Sequence, residues 1–197
     1  MTVPRIIGLL LLFCAAAFCS DEFTLYELLA PDTHQFAITY DMATTTEGAP
    51  YLFNPIRNGS VASGERVIDA ATGNPLVFAV VTAEEAVKNG LRGRPDADRY
   101  IQVTLAHPVP KNGEARVRIF KTYTDAASYG PAEGGGIIFQ RSLSIKRNAV
   151  VLPKGYELVS SAAPGIVSTQ PDGRIRVSFF NDRDDEVMVR LKGRPLP

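Results

Sequence analysis

Apolar residues recur at every second position in several stretches, most regularly in Arg174-Ile175-Arg176-Val177-Ser178-Phe179. Successive strand side chains point to opposite faces, so Ile175, Val177 and Phe179 define a dry face and Arg174, Arg176 and Ser178 a wet one. Val187, Val189 and Leu191 repeat the period. The polar link 181–186 reads as a longer hairpin loop joining the two runs. Apolar residues three and four apart, the mark of an amphipathic helix, are missing from both.

The same reading predicts strands over 139–145 and 156–160, with Asn148, Pro153-Lys154-Gly155, Pro164-Gly165 and Pro171-Asp172-Gly173 as punctuation. Towards the N-terminus, 23–29 and 35–42 are strands split by Pro31-Asp32-Thr33. The run 48–57 is a third, and Pro50 and Pro55 push it to a sheet edge because proline cannot donate to the ladder. After the turn Asn58-Gly59, 64–70 and 75–82 pair about Thr72-Gly73-Asn74, and the unbroken apolar run 76–81 suits a strand buried on both faces. A single helical turn is predicted over 83–89, capped by Thr82 with Glu85 three residues on and ended by Gly90.

Strands over 100–106 and 114–123 follow, around the turn 108–113, with Ala115, Val117 and Ile119 facing one way and Arg116 and Arg118 the other. The segment 125–136, with Gly134-Gly135-Gly136, is the longest without a pattern and reads as a boundary between two halves or a mobile loop. The fold class is therefore all-β: an antiparallel β-sandwich of about ten to twelve strands with one short helix.

Residues 1–19 follow a different rule. Arg5 precedes an apolar run at 6–13, then come Ala15, Ala16 and Ala17, with polar Ser20-Asp21-Glu22 beyond. That is the pattern of a secretory signal peptide, too short for a comfortable membrane span. Cleavage is expected after Ala17 or Cys19, leaving 20–197 as one exported domain, periplasmic or extracellular, with no stable span. A lipid anchor at Cys19 is the minor alternative, disfavoured by bulky Phe18. Both cysteines, Cys14 and Cys19, fall in or beside this segment, so the mature chain is expected to rely on its core and not on disulfides. Exported without disulfides, it leans towards a bacterial envelope.

Lys and Arg number 21 and so do Asp and Glu, which argues against nucleic acid as a partner. Candidate chemistry is thin. The two histidines, His34 and His107, each sit beside a proline-bearing turn, with no HExxH and no cysteine for a zinc cage. No G-x-S-x-G elbow or phosphate-binding loop occurs, and the acidic stretch 181–186 carries Arg183 in its middle, so it reads as a solvated loop before a calcium site. No catalytic residue, cofactor or metal is expected. The one site candidate is a cationic face of Arg116, Arg118, Arg174, Arg176, Arg190 and Lys192, which would take an anionic partner if their strands were neighbours. An ordinary wet face with acids interleaved is the plainer reading.

The segment Arg147-Asn148-Ala149-Val150-Val151-Leu152-Pro153-Lys154-Gly155-Tyr156-Glu157-Leu158, with Asp172-Gly173-Arg174 downstream, resembles a group of exported bacterial β-proteins. More distantly, the whole mature chain resembles the N-terminal β-domain that precedes the catalytic domain of M1-type metallopeptidases. The resemblance implies a binding or scaffolding domain, and with no zinc-binding helix in this sequence peptidase activity does not carry over. Joined to the signal peptide and the all-β pattern, the expectation is a non-catalytic binding, accessory or scaffolding module of the cell envelope with a protein or glycan partner. A hydrolase with an unrecognised site, acting on cell-wall or sugar substrates, is the alternative.

Overall fold

Strand β1 (Phe23–Leu28) shows how the chain folds: Thr24, Tyr26 and Leu28 are buried, while Phe23, Leu25 and Glu27 are only half-covered. The computed structural model describes residues 22–183 and 185–197; the expected signal peptide over 1–19, with Cys14 and Cys19, lies outside the described residues. Strands are numbered in chain order. The largest sheet runs in space as β12 (Ile166–Thr169), β13 (Ile175–Phe180), β10 (Arg147–Val151), β1, β2 (Gln35–Thr44), β7 (Ala115–Thr124) and β4 (Val61–Asp69). A second sheet runs β11 (Tyr156–Ser161), β14 (Val187–Pro195), β9 (Ile137–Leu143) and β8 (Tyr129–Pro131). A third runs β3 (Tyr51–Ile56), β6 (Arg99–Thr104) and β5 (Phe78–Thr82).

The two smaller sheets cover one face of the large one. Ile38, Val117, Ile119, Val150 and Val177 from the large sheet share one core with Leu52, Ile101 and Val103 from the three-stranded sheet and with Ile137, Val189 and Leu191 from the four-stranded sheet. Phe36 is the hub, with its ring centroid 5.7 Å from Phe139 and 6.0 Å from both Tyr26 and Tyr123. Each fully buried apolar side chain of this kind contributes about 1.5–3 kcal/mol. All-β architecture with one short helix is what the structure has, with fourteen strands among the described residues.

Helix α1 (Ala83–Lys88) forms where its caps require. The Thr82 hydroxyl accepts from the Glu85 N–H and the Glu85 carboxylate accepts from the Thr82 N–H, a reciprocal box. Its buried Ala86 seats on Tyr100 and Ala97. Proline-bearing β3 lies at an edge, as Pro55 requires.

Several pairings differ from expectation. β13 and β14 do not form a hairpin: β13 belongs to the large sheet and β14 to the four-stranded one, so 181–186 crosses between layers. One dry face per strand is satisfied as well by a facing layer as by a neighbour. β4 and β5 do not pair: the residues before β5 touch β4 at the Ile68–Pro75 bridge and through the Leu76 N–H to the Val67 carbonyl, and β5 itself pairs with β6. β5 is an edge strand and is not buried on both faces: Val77 and Val80 are exposed, while Phe78 meets the main core and Val81 the cluster under α1. β6 and β7 likewise belong to different sheets. The segment 125–136 holds the short strand β8, and its Tyr129 is buried and donates from its hydroxyl to the Leu29 carbonyl at 2.6 Å.

Two strands were not expected: β10 contains Asn148, which the sequence reading took as punctuation, and β12 fills the gap between Pro164-Gly165 and Pro171-Asp172-Gly173. β10 sits at the heart of the large sheet, with β1 parallel on one side and β13 antiparallel on the other.

Candidate functional site

The pleat of the large sheet lays down two rows on its inner face. Asn148, Thr24 and Tyr40 stand side by side across β10, β1 and β2, and Val150, Tyr26, Ile38 and Lys121 do so from β10 to β7. Asn54 of β3 approaches from the three-stranded sheet and Arg141 of β9 from the four-stranded one. Between these walls is a cavity of about 490 Å³, within the range of small-molecule sites. Exposed Asn58, Asp96 and Glu186 line its mouth.

Lys121 occupies a core position of β7, between Ile119 and Tyr123 in the inward alternation. It is 5% exposed, and its ammonium donates to Asn54 Oδ1 at 2.5 Å and to the Tyr123 hydroxyl at 3.1 Å. No carboxylate pairs with it among the described residues. Burial holds its pKa down to about 7, the Arg141 charge adds to the depression, and Glu65 opposes it.

Arg141 is also an inward position, in the series Ile137, Phe139, Arg141, Leu143. Its guanidinium stands 5.4–5.7 Å from the ring centroids of Tyr26, Phe36 and Tyr123. Nη1 lies 3.4 Å from Asp125 Oδ2. Burial pushes the Asp125 carboxyl up, but hydrogen bonds from Ser128 and Ser60 and the Arg141 charge outweigh it and hold the pKa below its usual value. Burial raises the Tyr26 and Tyr40 hydroxyls well above the ordinary tyrosine range, against the pull of Arg141 on Tyr26, so both enter the cavity neutral.

The far end of the floor is neutral and incompletely satisfied. Asn148 donates from Nδ2 to the Ile145 carbonyl at 2.6 Å, which fixes its amide and leaves Oδ1 as the free acceptor. That atom and Thr24 Oγ1 are both buried without a hydrogen bond, a cost of about 1–3 kcal/mol each when nothing else fills the need.

The six cations of the expected face are not brought together. Arg118 of β7 makes a two-point pair with Asp41, Nε to Oδ1 at 2.5 Å and Nη2 to Oδ2 at 2.8 Å. Arg116 pairs with Glu114. Arg174 bridges Asp172 and Glu27, and Arg176 donates to Ser178 with its guanidinium over the Phe23 ring. Three strands, β10, β1 and β2, separate β13 from β7, and Arg190 and Lys192 belong to β14 of the four-stranded sheet. Acids from intervening strands interleave with the arginines.

His34 Nδ1 lies 2.9 Å from the Tyr129 carbonyl oxygen, so that nitrogen carries the proton. His107 is exposed on the link between β6 and β7. In the acidic stretch, Arg183 pairs with Asp185 at 2.9 Å and donates to the Glu186 carbonyl. Among the described residues, no three His, Cys, Asp or Glu side chains gather as metal ligands, and no helix is long and apolar enough to cross a membrane.

Lys121 and Arg141 are the residues the sequence reading missed. The signal was present, because extending Val117 and Ile119 by one step of the period lands on Lys121, and extending Ile137 and Phe139 lands on Arg141. The sequence reading stopped at Ile119 on the first strand and did not follow the period along the second, so neither cation was singled out.

No family model and no curated protein matches the chain. Solved structures do. An M1 zinc metallopeptidase from Deinococcus radiodurans aligns at a TM-score of 0.52 and 12% identity, over 88% of this chain and 41% of that one. A mutant of an M1 zinc metallopeptidase from the same organism, bound to a Tyr-Ser-Ala substrate, aligns at 0.52 and 11%, with the same coverage. The chain thus spans about two-fifths of those enzymes, and what it shares with them is the fold of their N-terminal β-domain.

Proposed function

We propose that this chain is a non-catalytic binding module, an exported β-sandwich that works in the cell envelope as an accessory to a larger activity or as a small-ligand receptor. The observation that carries the reading is the cavity between the three sheets, large enough for a ligand and lined by buried polar groups that the fold leaves partly unsatisfied. A packed core stabilises itself best without them, since buried polar atoms lacking partners cost stability. Their presence on the floor of an open cavity makes sense as stored recognition. The leader-type sequence of residues 1–19 supports export, and the likeness to a domain that precedes a catalytic domain supports an accessory role.

Native mass spectrometry of the purified chain, incubated with a small-molecule extract of bacterial envelope, tests the reading. A single recurring adduct, competed away by blocking the cavity with Thr24→Phe, is the expected result. No adduct across repeated extracts, with the chain folded, overturns it.

A further inference from the structure

The cavity is chemically lopsided. At one end stand two cations drawn inward by strand phase, Lys121 with no carboxylate among the described residues and Arg141 with a carboxylate already engaged by two serine hydroxyls and two backbone N–H groups. At the other end Thr24 and Asn148 face each other across β1 and β10 with an unused hydroxyl oxygen and an unused amide oxygen. Lys121 and Asn148 are three strand spacings and a two-residue step apart in the same sheet, about 16 Å between backbones at about 4.8 Å per strand and about 3.3 Å per residue. The flexible lysine stem shortens that gap, leaving a span suited to one sugar ring or a short hydroxylated chain. The walls between are the Tyr26, Tyr40 and Tyr123 rings.

We propose that the cavity binds an acidic, hydroxylated small molecule of the sugar-acid class, its carboxylate held by Lys121 and Arg141 and its hydroxyls by Thr24 and Asn148. This rests on the binding-module reading and names its ligand. An anion supplies the countercharge that no described carboxylate gives Lys121, since a buried ammonium held only by neutral acceptors is unfavourable. A hydroxyl supplies the hydrogen that the fixed Asn148 Oδ1 can accept, which a bare inorganic anion does not. The tyrosine faces accommodate the C–H face of a ring.

The same geometry makes binding consume a proton. Lys121 is neutral in much of the free protein above about pH 7, and a carboxylate beside it favours the ammonium, so one proton moves from buffer to Nζ as the acid enters. The charged and titratable groups around it are Arg141 from β9, Glu65 from β4, Tyr123 on its own strand, and Tyr26 and Tyr40 from β1 and β2. Burial raises all three tyrosines, so they stay protonated throughout this window. Affinity therefore falls by up to about tenfold per pH unit above 7.

Isothermal titration of the whole mature chain with D-glucuronate, D-glucose and acetate, each up to about 10 mM, at pH about 6 and about 8, tests the proposal. Buffers of different ionisation enthalpy report the proton. Glucuronate is expected to bind at least about tenfold more tightly than either control, with proton uptake at the higher pH. Lys121→Met, which keeps the stem and removes the charge, should weaken it about tenfold or more and abolish the uptake. Glucose binding as well as glucuronate, unchanged in Lys121→Met, overturns the charge assignment while leaving a binding module. Acetate matching glucuronate overturns the sugar-acid class and reduces the site to an adventitious anion. No binding by any of the three, with the chain folded, overturns the inference outright, and the envelope adduct then decides the broader reading on its own.

Discussion

Asp125 and Arg141 face each other at 3.4 Å inside the sandwich, their side chains 7% and 8% exposed. The carboxylate is held more closely by others: the Ser128 and Ser60 hydroxyls donate at 2.7 and 2.9 Å, and the Ala127 and Ser128 N–H groups at 3.1 Å. Asp125→Ala strips all four donors and leaves a buried cation without its carboxylate, so it should cost about 3–5 kcal/mol in urea unfolding. Arg141→Met leaves the carboxylate fully bonded and should cost less than half as much. The reverse order would show that the ion pair, not the hydroxyl and amide cradle, holds this corner.

Stability should climb with pH between about 7 and about 10.5. Lys121 has a pKa of about 7 when folded and the ordinary lysine value when unfolded, so the unfolded chain binds the extra proton through that window. Deprotonation lifts a penalty that is fully present below pH 7. Lys121→Met should flatten this rise, and its midpoint at pH 6 should match or exceed that of the parent. Thermal melts at intervals across the window read both. A parent curve that falls from pH 7 to 9 would contradict the assignment.

Gly193 is the tight point of the four-stranded sheet. It lies in β14 between β9 and β11, and a Cβ there would sit 2.9 Å from Ile137 Cγ1 and 3.1 Å from the Glu157 carbonyl oxygen. Gly193→Ala should therefore cost about 1–3 kcal/mol by overpacking. Amide exchange should quicken in β9, β14 and β11 while β2 and β7 stay protected. Uniform loosening of both layers would argue against a local clash.

Thr82→Ala should cost about 1 kcal/mol through loss of the N-cap. The loss should be local, with faster amide exchange in α1 and around Tyr100, against which α1 seats Ala86. Thr82→Ser should restore protection, because the hydroxyl and not the methyl does the capping. An alanine variant with α1 exchange unchanged would contradict it.

Local chemistry was the legible part of this chain. The Thr82–Glu85 box, the edge placement of Pro55 and the inward sets Val177–Phe179 and Val189–Leu191 follow from spacing and proline chemistry alone. Partner choice was not legible, because period-two patterning says which face is dry and not which strand lies beside it. That is why 174–180 and 187–192 read as a hairpin yet lie in facing layers. β10 escaped notice because Asn148 looked like a turn residue, although its amide is turned inward and bound to Ile145. The candidate site was missed for a related reason: Lys121 and Arg141 break the rule that cations stay wet.

The parallel pairing of Phe23–Leu28 with Arg147–Val151 also sets a clock on folding. The first of the described strands keeps one side open until the chain has grown past residue 151, because its second neighbour does not yet exist. Contacts so distant in sequence close slowly, and the half-made sheet waits with a bare ladder. Synthesis thus delivers a chain whose central sheet stays open on one side until β10 is made, so late closure is built into the order of its strands.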